Sequence, residues 1–319
     1  MSGFDVIAIG RLGVDLYPQQ SGVGLADVET FHKYLGGSAA NVAVAAARLG
    51  RSVALVSRVG ADPFGGYLRR ELAAFSVDAR WVTEVDGTQT PITFCEIFPP
   101  DRFPIYFYRR PKAPDLHIEP GDLDLAAIEA AGVLWLTGTG LSDRPSLDAH
   151  RAALVARDPD RPTVLDLDYR PALWASAADA TRELQTTLAW VTVAVGNVDE
   201  CEIAVGTRDP DRAADSLLAK GLRLAVVKRG PEGVLARSAT ESIEVAALDV
   251  DVVNGLGAGD AFGGALCHGL LAGWPLRRTI EYANAAGALV ATRLACSSAM
   301  PYPDEVEQLL QQGRGTADA

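Results

Sequence analysis

The stretch NGLGAGDAF, residues 254–262, places three glycines and an alanine ahead of one aspartate, and the small, apolar run AFGGALCHGLLAG (261–273) continues from it. A loop this poor in side chains allows close approach to the main chain. The helix that begins there offers unpaired N–H groups and a positive dipole end, which together form an anion site. A carboxylate, Asp260, at the same helix mouth would ordinarily compete with a bound anion. The two are compatible when the anion is transferred to a group that the carboxylate deprotonates. That is phosphoryl transfer, with the carboxylate as base.

The rest of the chain predicts a scaffold for such a site. Short β-branched runs at 6–10, 52–60, 133–138, 163–168, 190–197 and 224–230 alternate with helical patterns at 38–49, 64–75, 122–131, 145–157, 176–188, 199–205 and 211–220. Near-continuous apolar strands separated by helices predict an α/β fold, a parallel sheet covered on both faces. Ligands bind such sheets beyond the carboxyl ends of the strands. Asp15, Asp168 with Arg170, and Asn197 are placed there. Two segments, 16–35 and 85–112, break the alternation. The second has period-2 stretches, TFCEIF and IYFYR, around PPDRFP, which read as antiparallel strands forming a lid and a dimer surface. The tail QQGRGTADA (311–319) is expected to be unstructured. The whole chain, 1–319, reads as a single domain with the lid segments inserted.

Composition narrows the partners. With 29 basic and 41 acidic residues the net charge is −12, which argues against nucleic acid or an anionic membrane as partner. An anionic substrate must then be held by a local cation. No run reaches the roughly 18 apolar residues of a membrane span, and MSGFDVIAIG does not read as a secretory signal. The four cysteines are scattered without a C-x-x-C pair and read as reduced thiols of a cytoplasmic protein. The four histidines form no zinc pattern.

Three further motifs carry chemistry. In GGSAANVAVAAARLG (36–50), Ser38 suits a helix N-cap, and Asn41 is an amide with few structural reasons to occupy an alanine-rich first turn. In DLDYRP (166–171), Arg170 presents a planar fork to a carboxylate or phosphate, or pairs with Asp168 at the surface. In GNVDE (196–200), Glu200 either complements the helix dipole or orients a hydrated magnesium.

Together, GRLGVD (10–15), GGSAANVAVAAARLG, N-x-x-E at 197–200 and GLGAGDAF resemble the ribokinase family of sugar kinases, also called the PfkB carbohydrate kinases, over nearly the whole chain. The resemblance implies a ribokinase-like three-layer α/β sandwich with a mostly parallel sheet and a small antiparallel lid. It also implies ATP and Mg²⁺, and dimers clasped by their lids. Asp260 would take the proton of a sugar hydroxyl, and Gly257, Ala258 and Gly259 would stabilise the transferred phosphoryl. Asn197 and Glu200 would organise Mg²⁺ and phosphate. Asp15, Gly37 and Asn41 would hold sugar hydroxyls. Lys228 and Gly230 would line the nucleotide site, with Asn284 near the adenine. The family usually reads D-T-x-G-A-G-D, where the acid helps to bind an activating monovalent cation. Here Asn254 and Gly255 stand in the first two places, and backbone carbonyls are the ligands left for such an ion. DLDYRP with Trp174, and FYRRPKAPD (107–115), look most like the branch that phosphorylates 5-dehydro-2-deoxygluconate in inositol breakdown. For that acid, Asp168 and Arg170, with Arg109 or Arg110 closing from the lid, are the expected contacts. Alternatives are 2-keto-3-deoxygluconate, ribose or fructose as substrate, or a sugar- or nucleotide-binding regulator on the same fold.

Overall fold

A computed structural model describes residues 3–317. The chain runs β1 (Val6–Ile9), β2 (Gly13–Pro18), β3 (Phe31–Gly36), α1 (Ser38–Arg48), β4 (Val53–Gly60), α2 (Pro63–Ala74), β5 (Val77–Val85), β6 (Ile92–Cys95) and β7 (Ile105–Tyr108). It continues through α3 (Leu125–Ala130), β8 (Val133–Thr137), α4 (Ser146–Ala156), β9 (Thr163–Asp166), α5 (Ala177–Leu188), β10 (Val193–Asn197), α6 (Val198–Val205) and α7 (Pro210–Leu218). The last elements are β11 (Leu224–Lys228), β12 (Val234–Ser238), β13 (Ser242–Val245), α8 (Ala258–Leu271), α9 (Leu276–Ala291) and α10 (Pro303–Ala317).

The main sheet has nine strands in the order β13-β12-β11-β10-β9-β8-β1-β4-β5. It is parallel from β5 to β11, and β12 and β13 add an antiparallel edge. Both faces are covered, and the period of two shows it. Val6 and Ala8 of β1 belong to the core under α1, α8 and α9, while Ile7 and Ile9 belong to the opposite core under α3–α7. Val133 and Trp135 of β8 divide from Leu134 and Leu136 in the same way. Fully buried strands of this kind have no polar face, which is why their sequence reads as continuous apolar runs.

The chain leaves β1 first toward β4 and β5, then returns to build β8–β11 on the other side. The strand order therefore reverses at β1, and a crevice opens at the carboxyl ends beside it.

The lid is a separate four-stranded sheet in the order β3-β2-β6-β7. Two antiparallel hairpins, β2–β3 and β6–β7, join through parallel pairing of β2 with β6. Its strands begin at Gly13, slightly before the expected segment, and Val85 still belongs to β5 of the main sheet. The tail differs from expectation. Val306, Leu309 and Leu310 pack on the core, and α10 runs through 317 because extending a formed helix costs far less than nucleating one; residues 318–319 lie outside the described residues. No helix among the described residues is long and apolar enough to cross a membrane.

Candidate active site

Under the lid lies a partly open cleft of about 520 Å³. Alternation along the lid strands turns Asp15 and Tyr17, Thr93 and Cys95, and Ile105 and Phe107 toward it. Its floor comes from the first turns of α1 and α8 and from the ends of β1 and β9.

At its α8 end the glycine loop runs directly into the helix, which starts at Ala258. Gly257 caps the helix with φ +83°, and a Cβ there would lie 2.6 Å from Cys296 Sγ. Only glycine fits both the left-handed backbone and the space. Asp260 sits in the first turn and lines the cleft. Burial raises its carboxyl to about 6, opposed by the hydrogen bond from Asn41 and by Arg11 and Arg170. That places it close to neutrality, where a general base is effective. Asn41, expected to read the sugar, is shared: its Nδ2 donates to Asp260 Oδ2 at 2.8 Å. Its Oδ1 is buried and lacks a donor among the described residues, so a substrate hydroxyl would satisfy it.

Asp15 lines the cleft from β2. Burial pushes its carboxyl to about 7, with Arg11 opposing and Asp260 adding to the rise. Gly37 (φ +100°) lets α1 start beside the β1–β2 connection, because a Cβ would fall 2.5 Å from the Arg11 carbonyl oxygen. Gly37 is the N-cap in place of Ser38. Ser38 Oγ instead donates to Asp168 Oδ2 at 2.8 Å, since a buried carboxylate without donors costs more than an uncapped turn.

Asp168 is held from several sides. Its Oδ2 also accepts from Arg11 Nη2 at 2.7 Å and Thr139 Oγ1 at 2.9 Å, and Arg170 Nε lies 3.2 Å from Oδ1. Burial alone would raise this carboxyl, yet Arg11, Arg170 and the hydroxyl of Ser38 hold it at about 2. Asp168 is therefore an anchor for the two arginines, and the expected substrate contact passes to them. Arg170 lines the cleft and remains partly exposed.

Arg109 corrects the expectation. Its Nη2 donates to both carboxylate oxygens of Asp115, at 2.8 and 2.7 Å, in a buried pair with side chains 8% and 1% exposed, and it does not line the cleft. Strand β7 ends at Tyr108, so the inward alternation of Ile105 and Phe107 stops one residue short of it. Arg11 takes that place. Its Nε donates to Thr139, its Nη2 to Ser38 and Asp168, and it lines the cleft with Phe107 of the lid over its guanidinium. The missed signal was its position directly after β1, the same carboxyl-end location that singled out Arg170.

Asn197 and Glu200 form a capping box on α6. Asn197 Oδ1 accepts from the Glu200 N–H at 2.9 Å, and Glu200 Oε2 accepts from the Asn197 N–H at 2.8 Å. That use leaves Asn197 Nδ2 and Glu200 Oε1 for other partners, the latter 3.9 Å from Arg170. Pairing β10 with β11 sets Asn197 beside Lys228. Lys228 makes no ion pair within 4.0 Å among the described residues, and its Nζ would lie 3.1 Å from a Cβ on Gly259. Burial disfavours its charge, but Asp166, Glu200 and Asp260 more than offset this. An unpaired ammonium against a bare helix N-terminus fits phosphate. Among the described residues no group of three His, Cys, Asp or Glu could hold a metal by itself. The Oε1 of Glu200 that the capping box leaves is a ligand of the kind that would reach a hydrated magnesium ion through water. Gly230 (φ +60°) is an exposed turn after β11, and Asn284 Nδ2 donates to the Ala246 carbonyl at 2.8 Å; neither lines the cleft.

A 5-dehydro-2-deoxygluconokinase of Photobacterium profundum is 34% identical over 306 residues, 93% of this chain and 92% of that one. One from Geobacillus kaustophilus is 33% identical over 332 residues, 99% of this chain and 96% of that one. A solved E. coli chain described as a ribokinase II, in complex with ATP and Mg²⁺, superposes with a TM-score of 0.87 at 25% identity, covering 97% of this chain and 99% of that one. The model of the pfkB family carbohydrate kinases matches residues 4–303. The chain belongs to that family and is a carbohydrate kinase.

Proposed function

We propose that this kinase transfers the γ-phosphoryl of ATP to a hydroxyl of 5-dehydro-2-deoxygluconate. The observation that carries the reading is the meeting of Asp260, held by Asn41, with the bare start of α8 and with Lys228, which has no ion pair within 4.0 Å among the described residues. The substrate hydroxyl oxygen forms a bond to the γ-phosphorus while the bond to the ADP oxygen breaks, and the hydroxyl proton passes to the Asp260 carboxylate. The Gly257–Gly259 N–H groups and Lys228 face the charge that spreads over the phosphoryl oxygens. Glu200 and Asn197 would hold a magnesium ion through water, and that ion would neutralise charge on the phosphates. Gly230 and Asn284 keep the nucleotide-side roles that the family resemblance implies, as part of this proposal. Asp15 and the open Oδ1 of Asn41 meet the substrate's hydroxyls at Gly37.

Two arginines in the cleft of a chain with net charge −12 support an acid rather than a neutral sugar, as do the names of the curated relatives. Arg170 is the partly exposed one and reads the carboxylate. A lost Arg–carboxylate contact, about 1.5–3 kcal/mol, corresponds to roughly 10–100-fold in affinity. Arg170→Ala should raise KM for the acid by that factor and KM for ATP little, in an assay of ADP release. Equal wild-type activity on ribose or fructose, or preference for 2-keto-3-deoxygluconate, would sink the assignment. The four described cysteines are free and buried, which supports a cytoplasmic setting. Exposed Tyr106 and Tyr108 on the outer lid face support a dimer through the lids.

A further inference from the structure

The segment that delivers Gly257–Gly259 is not self-supporting. It lies along the end of α9 and the chain beyond it. The Val253 and Asn254 N–H groups both donate to the Ala291 carbonyl, at 2.8 and 3.1 Å, and Gly257 rests against Cys296. Between those points stands Asn254, fully buried. Its Nδ2 donates to the Leu294 carbonyl at 2.6 Å, and its Oδ1 accepts from the Leu256 N–H at 3.0 Å. The partners fix which way the amide points, because an N–H must face oxygen and a carbonyl must face the NH₂.

The donor set does not fit a monovalent cation. An acid at position 254 would also accept from Leu256, but it would set an oxygen, charged, against the Leu294 carbonyl oxygen. Two acceptors at that separation need a cation between them. The amide joins them directly and neutrally, and the Leu294 carbonyl that would serve an ion is already occupied.

We infer that Asn254 is a positioning residue that replaces a bound monovalent cation in shaping the α8 anion cradle, so that phosphoryl transfer here is independent of potassium. The inference rests on the reading of Gly257–Gly259 as the phosphoryl cradle.

The test holds ionic strength constant and exchanges potassium chloride for choline chloride. Wild type should turn over equally in both. Asn254→Asp should lose on the order of tenfold or more in kcat in choline, the cost of one charged contact left unmade, and potassium should restore it. Asn254→Leu should lose activity that potassium does not restore. Thermal unfolding gives a readout independent of catalysis: potassium should raise Tm of Asn254→Asp and leave wild type unchanged, since only the variant gains a site for it. Wild type that fails in choline, or an Asp variant whose kcat and Tm ignore potassium, overturns the inference. If wild type phosphorylates none of the sugars offered, the functional reading fails while the Tm comparison still decides the role of Asn254.

Discussion

Replacing Asn41 with leucine removes one hydrogen bond from Asp260 at almost constant volume. In the wild type that bond, 2.8 Å from Nδ2 to Oδ2, is the largest influence holding the carboxyl down to about 6 against burial. A hydrogen bond to a charged group contributes about 1.5–3 kcal/mol, and each 1.36 kcal/mol is one pKa unit, so the carboxyl should rise by about one to two units. The charged form loses a donor, so the direction is upward. At pH 7 the ionised fraction would fall from about nine-tenths to between about a half and a tenth. The assay is kcat/KM for the sugar against pH, whose acid limb reports the free enzyme. Asp15, raised to about 7, titrates nearby, so the comparison is repeated in an Asp15→Asn background. The lost Oδ1 contact raises KM at every pH, whereas the lost Nδ2 contact moves the limb. An acid limb that stays in place in Asn41→Leu would show that this bond does not set the base.

Asp260→Asn should lower kcat by roughly 10²–10⁴-fold and yet stabilise the fold at alkaline pH. The folded carboxyl titrates at about 6, above the unfolded value of about 3.9, so its stabilising contribution is present below about pH 4 and lost as pH rises through about 6. Tm of the variant should exceed wild type at about pH 8 and match it near pH 4, and a variant less stable at both would refute the sign. Arg11→Met leaves the buried Asp168 short of its closest cation, with Arg170 at 3.2 Å as partial compensation. Chemical denaturation should show a loss of about 3 kcal/mol, the lower end for breaking a buried pair, and a loss near zero would mean Arg170 alone suffices.

Much of this protein was legible before any coordinates. The apolar runs that became β1, β4, β8, β9, β10 and β11 are buried on both faces, and a strand with no solvent face advertises itself. The glycine loop before Asp260 was legible for a local reason too, because backbone conformation and helix-end polarity depend on adjacent residues. β5 and β13 went unread because they form the sheet's two edges, where burial is partial; β12 also went unread, although its short run Val234–Ala236 is buried on both faces. Which side chain faces which is a different matter. Arg109 and Arg170 are both arginines near strand ends, but only tertiary structure sets Asp115 against the first and leaves the second in the cleft. Arg11, Ser38, Thr139 and Asp168 come from four separated segments, and Asn254 meets Leu294 across forty residues. Partners so distant in the chain leave no periodicity to read: local geometry is written in neighbouring residues, whereas the pairing of buried charges and amides is decided by how the layers close on each other.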